Sequence, residues 1–250
     1  MKVKQAAKVQ SKWIKTKILL QNSSIKPFIP DTRRWNEANL KQMIRDYKMI
    51  YIKPERGTYG NGVIRAEHKE GSYKYQLKEK VHNFDSFPAF YQSLSRTVGK
   101  RSYLIQKGIR LLKHSGRRFD IRVMVQNSPQ GVWEATGIIG RLGQKGKIVT
   151  NYHSGGRPLA IGTLLQSHLG TAQQTRLTEE LYALGVRIAR QMNKTYPNIR
   201  QIGVDVGLDA GMTPWIIEVN TNPDPYIFNQ LKDKSMYRKV MRYRRAAKGK

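Results

Sequence analysis

Asp205, Glu218 and Asn220 offer hard oxygen donors in a spacing that suits a divalent cation. Gly203-Val204-Asp205-Val206-Gly207-Leu208 reads as one strand, and Trp215-Ile216-Ile217-Glu218-Val219-Asn220 as the next, with Asp209-Ala210-Gly211 turning between them. Glu218 and Asn220, two residues apart on a strand, share a face, and Asp205 on the neighbouring strand can reach it. Magnesium takes octahedral oxygen coordination, through one or two carboxylates together with substrate phosphates. The trio therefore predicts a phosphate-bridging Mg2+, for which Mn2+ is a chemically acceptable substitute. Two carboxylates and an amide turned inward from an apolar strand are costly without a cation. The alternative pairs Asp205 with a nearby arginine and leaves Asn220 to build the turn before Pro223.

A handle for phosphate lies earlier. Tyr51-Ile52-Lys53-Pro54 ends a strand, and Gly57, Gly60 and Gly62 follow it. A lysine leaving a strand can hold phosphate oxygens as a point charge, while bare backbone N–H groups of a glycine loop donate without side-chain obstruction. The plain alternative is a glycine-tipped hairpin with no ligand. No Gly-Lys-Ser or Gly-Lys-Thr follows, so this is not a P-loop. The histidines at 68, 82, 114, 153 and 168 lack zinc-site spacing, and the absence of cysteine excludes thiolate ligands and disulfides.

The elements that must position these residues follow from periodicity. A helix capped by Asp31 or Thr32 is expected to run to about Tyr47, followed by strands at Met49 to Lys53, Val63 to Ala66 and Tyr73 to Leu77. A helix from Asn83 or Asp85 to about Val98 and a strand at Tyr103 to Gln106 complete a small lobe. Strands at Phe119 to Gln126 and Gly131 to Arg141, a Gly- and Ser-rich loop, and a long helix from about Thr171 to Thr195 lead to the two strands of the oxygen-donor trio. There is no internal repeat.

The chain has 250 residues, with 46 Lys and Arg against 17 Asp and Glu, a formal net charge of +29. Such a field attracts acidic substrates, acidic proteins or other polyanions. Without a helix-turn-helix, zinc-finger or ribonucleoprotein pattern, nucleic acid is expected to bind only nonspecifically. Basic residues crowd Lys2 to Lys17 and Lys232 to Lys250, which read either as adhesive arms or as solvated tails. No run approaches the roughly 20 apolar residues of a membrane span. The basic start has no apolar core after it, which argues against a secretory signal and for synthesis inside a cell.

Taken in order along the chain, these motifs resemble the ATP-grasp superfamily. The likeness runs from Ser11-Lys12-Trp13 through Pro30-Asp31-Thr32 and Tyr51-Ile52-Lys53-Pro54 to Asn222-Pro223, and is nearest to the YheC/YheD group of endospore coat-associated proteins. It implies an α+β, ATP-grasp fold in which two lobes sandwich ATP and the N-terminal lobe of many members is truncated. The segments would be a basic lead at 1–30, a small lobe with the glycine flap at 31–108, a C-terminal lobe with the metal site at 109–231, and a basic tail at 232–250. Lys12 and Lys53 correspond to the first and second phosphate-binding lysines. Ser102 to Ile109 resembles the adenine-recognising hinge, with Gln106, Lys107 and Ile109 as its contacts. Arg118-Phe119-Asp120-Ile121-Arg122-Val123 resembles a strand in which Arg122 stabilises transferring charge and Asp120 orients it. A buried Asp120 and Arg122 ion pair is the competing account. Arg141 would add a phosphate contact, and Asn151, beside Gly155-Gly156, a third oxygen near the metals. Where many members carry an acidic ribose ligand, this chain has Lys107 and then Lys113-His114. The resemblance implies a carboxylate-amine ligase working through an acyl-phosphate, or else a nucleotide-binding structural coat protein. It also implies synthesis in the mother cell of a sporulating bacterium and association with the spore coat.

Overall fold

The computed structural model describes residues 10–150 and 152–248. Asn151 and the basic residues before Gln10 lie outside them. The chain starts with α1 (Lys12–Leu20), capped by Ser11, whose Oγ accepts from the Ile14 amide at 3.2 Å. A small lobe follows: β1 (Thr32–Arg34), α2 (Glu37–Tyr47), β2 (Met49–Pro54), β3 (Ile64–Lys69), β4 (Ser72–Leu77), β5 (Lys80–Phe84), α3 (Phe87–Val98) and β6 (Tyr103–Lys107). Its strands form an antiparallel sheet in the order β1-β6-β2-β3-β4-β5. Leu40, Met43 and Ile44 of α2 and Phe90, Leu94 and Val98 of α3 pack beneath it against Ile50, Ile52, Ile64 and Ile105.

Two helix starts differ from expectation. Thr32 pairs with Gln106 in the sheet, so α2 begins only at Glu37, where the Asn36 side chain accepts from the Asn39 amide at 2.7 Å. Asn83 pairs with Lys74 across β4 and β5, so α3 begins at Phe87 after Ser86. In both places a polar residue suited to capping a helix is held in a strand ladder instead.

The large lobe contains β7 (Lys113–His114), β8 (Arg117–Asn127), β9 (Trp133–Leu142), β10 (Arg157–Leu159), α4 (Ile161–Leu165), α5 (Thr171–Thr195), β11 (Gln201–Leu208), β12 (Pro214–Asn220) and α6 (Ser235–Lys248). The sheet order is β10-β9-β8-β11-β12, with β7 paired to β8. One face is covered by α5, through Leu177, Leu181, Leu184 and Ile188, and by Ile18 and Leu19 of α1. α1, part of the segment read as a basic lead, thus belongs to the core of the lobe formed last.

The opposite face is divided. Near one end it carries the charged residues of the site. Farther along, Met124 and Ile139 are covered by Ile227 and Phe228 of the 3-10 turn Tyr226–Gln230 and by Val240 of α6. Gly137 makes room for this cover, since a Cβ there would lie 2.7 Å from Phe228 Cε1. The segment read as a basic tail is therefore a docked helix. Met236, Val240 and Tyr243 recur at helical spacing, Val240 is fully buried, and the Tyr243 hydroxyl donates to Glu134 Oε2 at 2.7 Å. Arg238, Arg242 and Arg245 are exposed on the remaining faces of that helix, while Arg244 is half-buried.

Candidate functional site

Register across four strands assembles a row of charge on the divided face. Asp120 stands opposite Arg141, Arg122 opposite Asp205, and Asp205 opposite Glu218. Directly opposed residues of antiparallel strands share a face. Arg122 grips Asp205 with two nitrogens, Nη2 at 3.0 Å from Oδ2 and Nε on Oδ1. Arg141 donates Nε to Asp120 Oδ1 at 2.8 Å, and its Nη2 lies 3.1 Å from Asp205 Oδ2. The ion pairs are thus Arg122 with Asp205 and Arg141 with Asp120, not Asp120 with Arg122. Gly203 permits the first, because a Cβ at that position would lie 3.0 Å from Arg122 Cδ. Burial pushes the Asp205 carboxyl up, but Arg122 and Arg141 outweigh it and hold its pKa at about 2. Burial likewise disfavours the Arg141 cation, and Asp120 and Asp205 more than reverse that.

Glu218 ends the row. Its side chain is 25% exposed, and its ion-pair partner is Lys12, Nζ to Oε1 at 3.4 Å. Asn220 donates Nδ2 to Asp205 Oδ2 at 3.3 Å. Among the described residues no three His, Asp or Glu side chains form a metal site by themselves. Both oxygens of Asp205 are taken up by arginines, as its alternative reading expected, so Glu218 and the Asn220 side-chain oxygen are the hard donors here that fit a magnesium ion bringing phosphate oxygens with it.

A cleft opens between the two sheets, lined by residues of both. Its lining is both apolar and cationic, including Ile109, Leu111 and Ile217 beside Lys12 and Lys53. That mixture fits a nucleotide, which presents a flat base and a chain of phosphates. Lys53 Nζ donates to Gln106 Oε1 at 2.5 Å, and Gln106 Nε2 donates to Thr32 Oγ1 at 3.1 Å. Burial lowers the Lys53 pKa to about 8, with Glu218 opposing the shift. Lys107 lies over the rings of Trp215 at 4.8 Å and Tyr47 at 5.4 Å.

The flap is the 55–63 connection between antiparallel β2 and β3. Gly60 and Gly62 both have φ +73, a conformation that L side chains rarely adopt. Ser154 Oγ donates to the Tyr59 carbonyl at 2.8 Å, and the Tyr51 hydroxyl to that of Ile148 at 3.3 Å, so the flap rests on the large lobe. Lys12 Nζ donates to the Gly57 carbonyl at 2.9 Å.

Lys12, Lys53, Gly57, Gly60, Gln106, Lys107, Ile109, Asp205 and Glu218 all line the cleft. Gly62, at the base of the flap, does not line the cleft; its carbonyl accepts from the Tyr103 hydroxyl at 3.2 Å. Arg122, Arg141 and Asn220 line a second, roomier cavity, which shares Gly57, Thr58 and Glu218 with the cleft. Asn151 is outside the described residues. Sequence reasoning missed Lys15 and Arg244, both in the second cavity. Lys15 Nζ donates to the Val219 carbonyl at 2.5 Å, and burial lowers its pKa. Its spacing of three from Lys12 behind the Ser11 cap was the available signal.

Comparison with known proteins identifies the family and the fold. Endospore coat-associated protein YheD of Bacillus subtilis (strain 168) is 24% identical over 226 residues, covering 88% of this chain and 49% of YheD. YheC of the same organism is 23% identical over 216 residues, 85% of this chain and 59% of YheC. The chain thus spans about half the length of the curated relatives it matches. The D-cycloserine synthetase DcsG superposes with a TM-score of 0.58 at 10% identity, covering 95% of this chain and 70% of DcsG. The ADP complex of purK, an N5-carboxyaminoimidazole ribonucleotide synthetase, gives 0.54 at 12% identity over 94% of this chain and 51% of that one. Both share the ATP-grasp fold. Residues 5–245 match the family described as YheC/D-like ATP-grasp, and the chain belongs to that family.

Proposed function

We propose that this chain binds Mg-ATP between its sheets and acts as an ATP-dependent carboxylate-amine ligase on an acidic substrate. The observation that carries this is the convergence of Lys12, Lys53, the glycine flap and Glu218 on one cleft. Lys12 and Lys53 neutralise phosphate charge, Gln106 holds the Lys53 ammonium in place, and Ile109 and Leu111 give the base an apolar wall. Glu218 and Asn220, with Asp205 behind them, would hold magnesium, whose charge assists the leaving diphosphate. ATP supplies the phosphoryl group. A carboxylate oxygen of the acceptor bonds to the γ-phosphorus as the bond to the ADP oxygen breaks. An amine then bonds to the acyl carbon, losing a proton as phosphate departs. No side-chain nucleophile is needed, because positioning and charge neutralisation dominate such transfers. Arg122 and Arg141, fixed by their carboxylates, give the adjoining cavity positive donors that need no reorganisation.

The relatives' names favour a second reading, a nucleotide-binding structural coat protein made in the mother cell of a sporulating bacterium and attached to acidic coat partners through its basic surface. Release of ADP and phosphate with Mg-ATP and a panel of acidic peptides and amino acids, beside nucleotide calorimetry, separates the two. Acceptor-dependent ADP release supports the ligase. Tight Mg-ATP binding without turnover supports the structural protein, and absence of nucleotide binding removes both.

A further inference from the structure

Resting on the reading of the cleft as an ATP site, we propose that the adjoining cavity takes an acceptor with two acid groups, the second of them held by Arg244 of α6. Arg244 is half-buried, lines this cavity and does not line the cleft. Its Nη1 is shut off from solvent without a hydrogen-bond partner. Among the described residues it makes no ion pair, and its guanidinium lies over the Tyr226 ring at 5.4 Å. Arg122 and Arg141, on the same cavity, are each paired through two nitrogens with a carboxylate, Asp205 and Asp120 respectively. Among the described residues Arg244 is thus the cavity arginine without a carboxylate partner, and an unsatisfied buried donor of a charged group is costly unless a ligand completes it.

The position is a built one. Val240, one helical turn earlier, is fully buried against Met124 and Ile139. Gln126 Nε2 donates to the Val240 carbonyl at 3.2 Å, and Tyr243 is tied to Glu134. The Tyr226 ring lies against the guanidinium and holds it beside the cavity. A guanidinium fork matches a carboxylate in two parallel hydrogen bonds. The carboxylate that receives phosphate must lie where cavity and cleft meet, at Gly57, Thr58 and Glu218. An anion at Arg244 is therefore a different group of the same acceptor. This cavity is several times roomier than the cleft, enough for a short acidic peptide.

The test is binding of triglutamate to the full chain saturated with magnesium and a non-hydrolysable ATP analogue, followed by calorimetry at 150 mM salt. Wild type should bind triglutamate, and triglutamine much more weakly. Arg244→Ala should weaken triglutamate binding about tenfold or more, the loss of one charge-assisted contact, with Arg244→Lys in between. Arg245→Ala, which removes the same charge from an exposed position of the same helix, should leave it unchanged. Equal loss in Arg244→Ala and Arg245→Ala would assign the effect to net charge and overturn the proposal. So would triglutamate binding that is absent from wild type or untouched by Arg244→Ala. The analogue's own affinity is measured in the same titrations. If it is absent, the ATP reading fails first; if it is intact, a negative result falls on Arg244 alone.

Discussion

The ammonium of Lys12 stands 3.4 Å from a carboxylate oxygen of Glu218 while donating to the Gly57 carbonyl at 2.9 Å. One side chain thereby ties the flap to the oxygen-donor strand. Lys12→Met should weaken Mg-ATP binding about tenfold or more, as expected for losing a charge-assisted contact to phosphate. Because the pair is partly exposed, unfolding free energy should change by less than about 1 kcal/mol. Calorimetry and urea unfolding check the two halves, and unchanged nucleotide affinity would remove Lys12 from the site.

Lys53, with its pKa lowered to about 8, is cationic below that pH and increasingly neutral above it. Phosphate favours the cation, so Mg-ATP binding near pH 8 should take up a fraction of a proton, and affinity should fall as pH rises from 7 to 9. Titrations in buffers of different ionisation enthalpy measure the uptake. Lys53→Met should abolish it. Persistence of the uptake in that variant would assign the proton to another group.

Asp205 is buried between two arginines, so its loss strands charge. Asp205→Asn should cost about 3 kcal/mol of stability, at the lower end for breaking a buried pair. Its carboxyl is depressed from 3.8 to about 2, so its contribution is present above the ordinary value and lost as pH falls through about 2. Glu218→Gln, at the partly exposed end of the row, should leave stability within about 1 kcal/mol and instead reduce the magnesium dependence of nucleotide binding. Similar urea midpoints for both variants would contradict this division.

Phe228 is fully buried between the large sheet and α6. Phe228→Ala should destabilise the chain by about 3 kcal/mol or more. Measured below the unfolding transition, Mg-ATP affinity should hold while triglutamate affinity drops, because the wall bearing Arg244 is loosened and the cleft is not. A parallel drop in both affinities would mean that α6 supports the whole site.

Elements with strong periodicity were legible in the sequence: α5 spans Thr171–Thr195 as its apolar stripe requires, and β11 and β12 bring Asp205 and Glu218 into register. β5 was not legible, because Lys80–Phe84 is an almost wholly exposed edge strand without alternation. α6 was hidden by arginines, although Met236, Val240 and Tyr243 carry a helical stripe beneath them. The arginine partners of Asp205 depend on strands over 60 residues apart, a pairing that no local pattern encodes.

Lys15 reaches the Val219 carbonyl across 204 residues of chain. α1 precedes the small lobe in the chain, yet the helix and strand it packs on, α5 and β12, come after that lobe. A nine-residue helix is marginal alone in water. The small lobe, by contrast, has a core drawn wholly from residues 40–105 and can close while the rest is still being made. The segment that bears Lys12 can therefore be seated only after β12, the last strand of the large sheet in chain order, has formed.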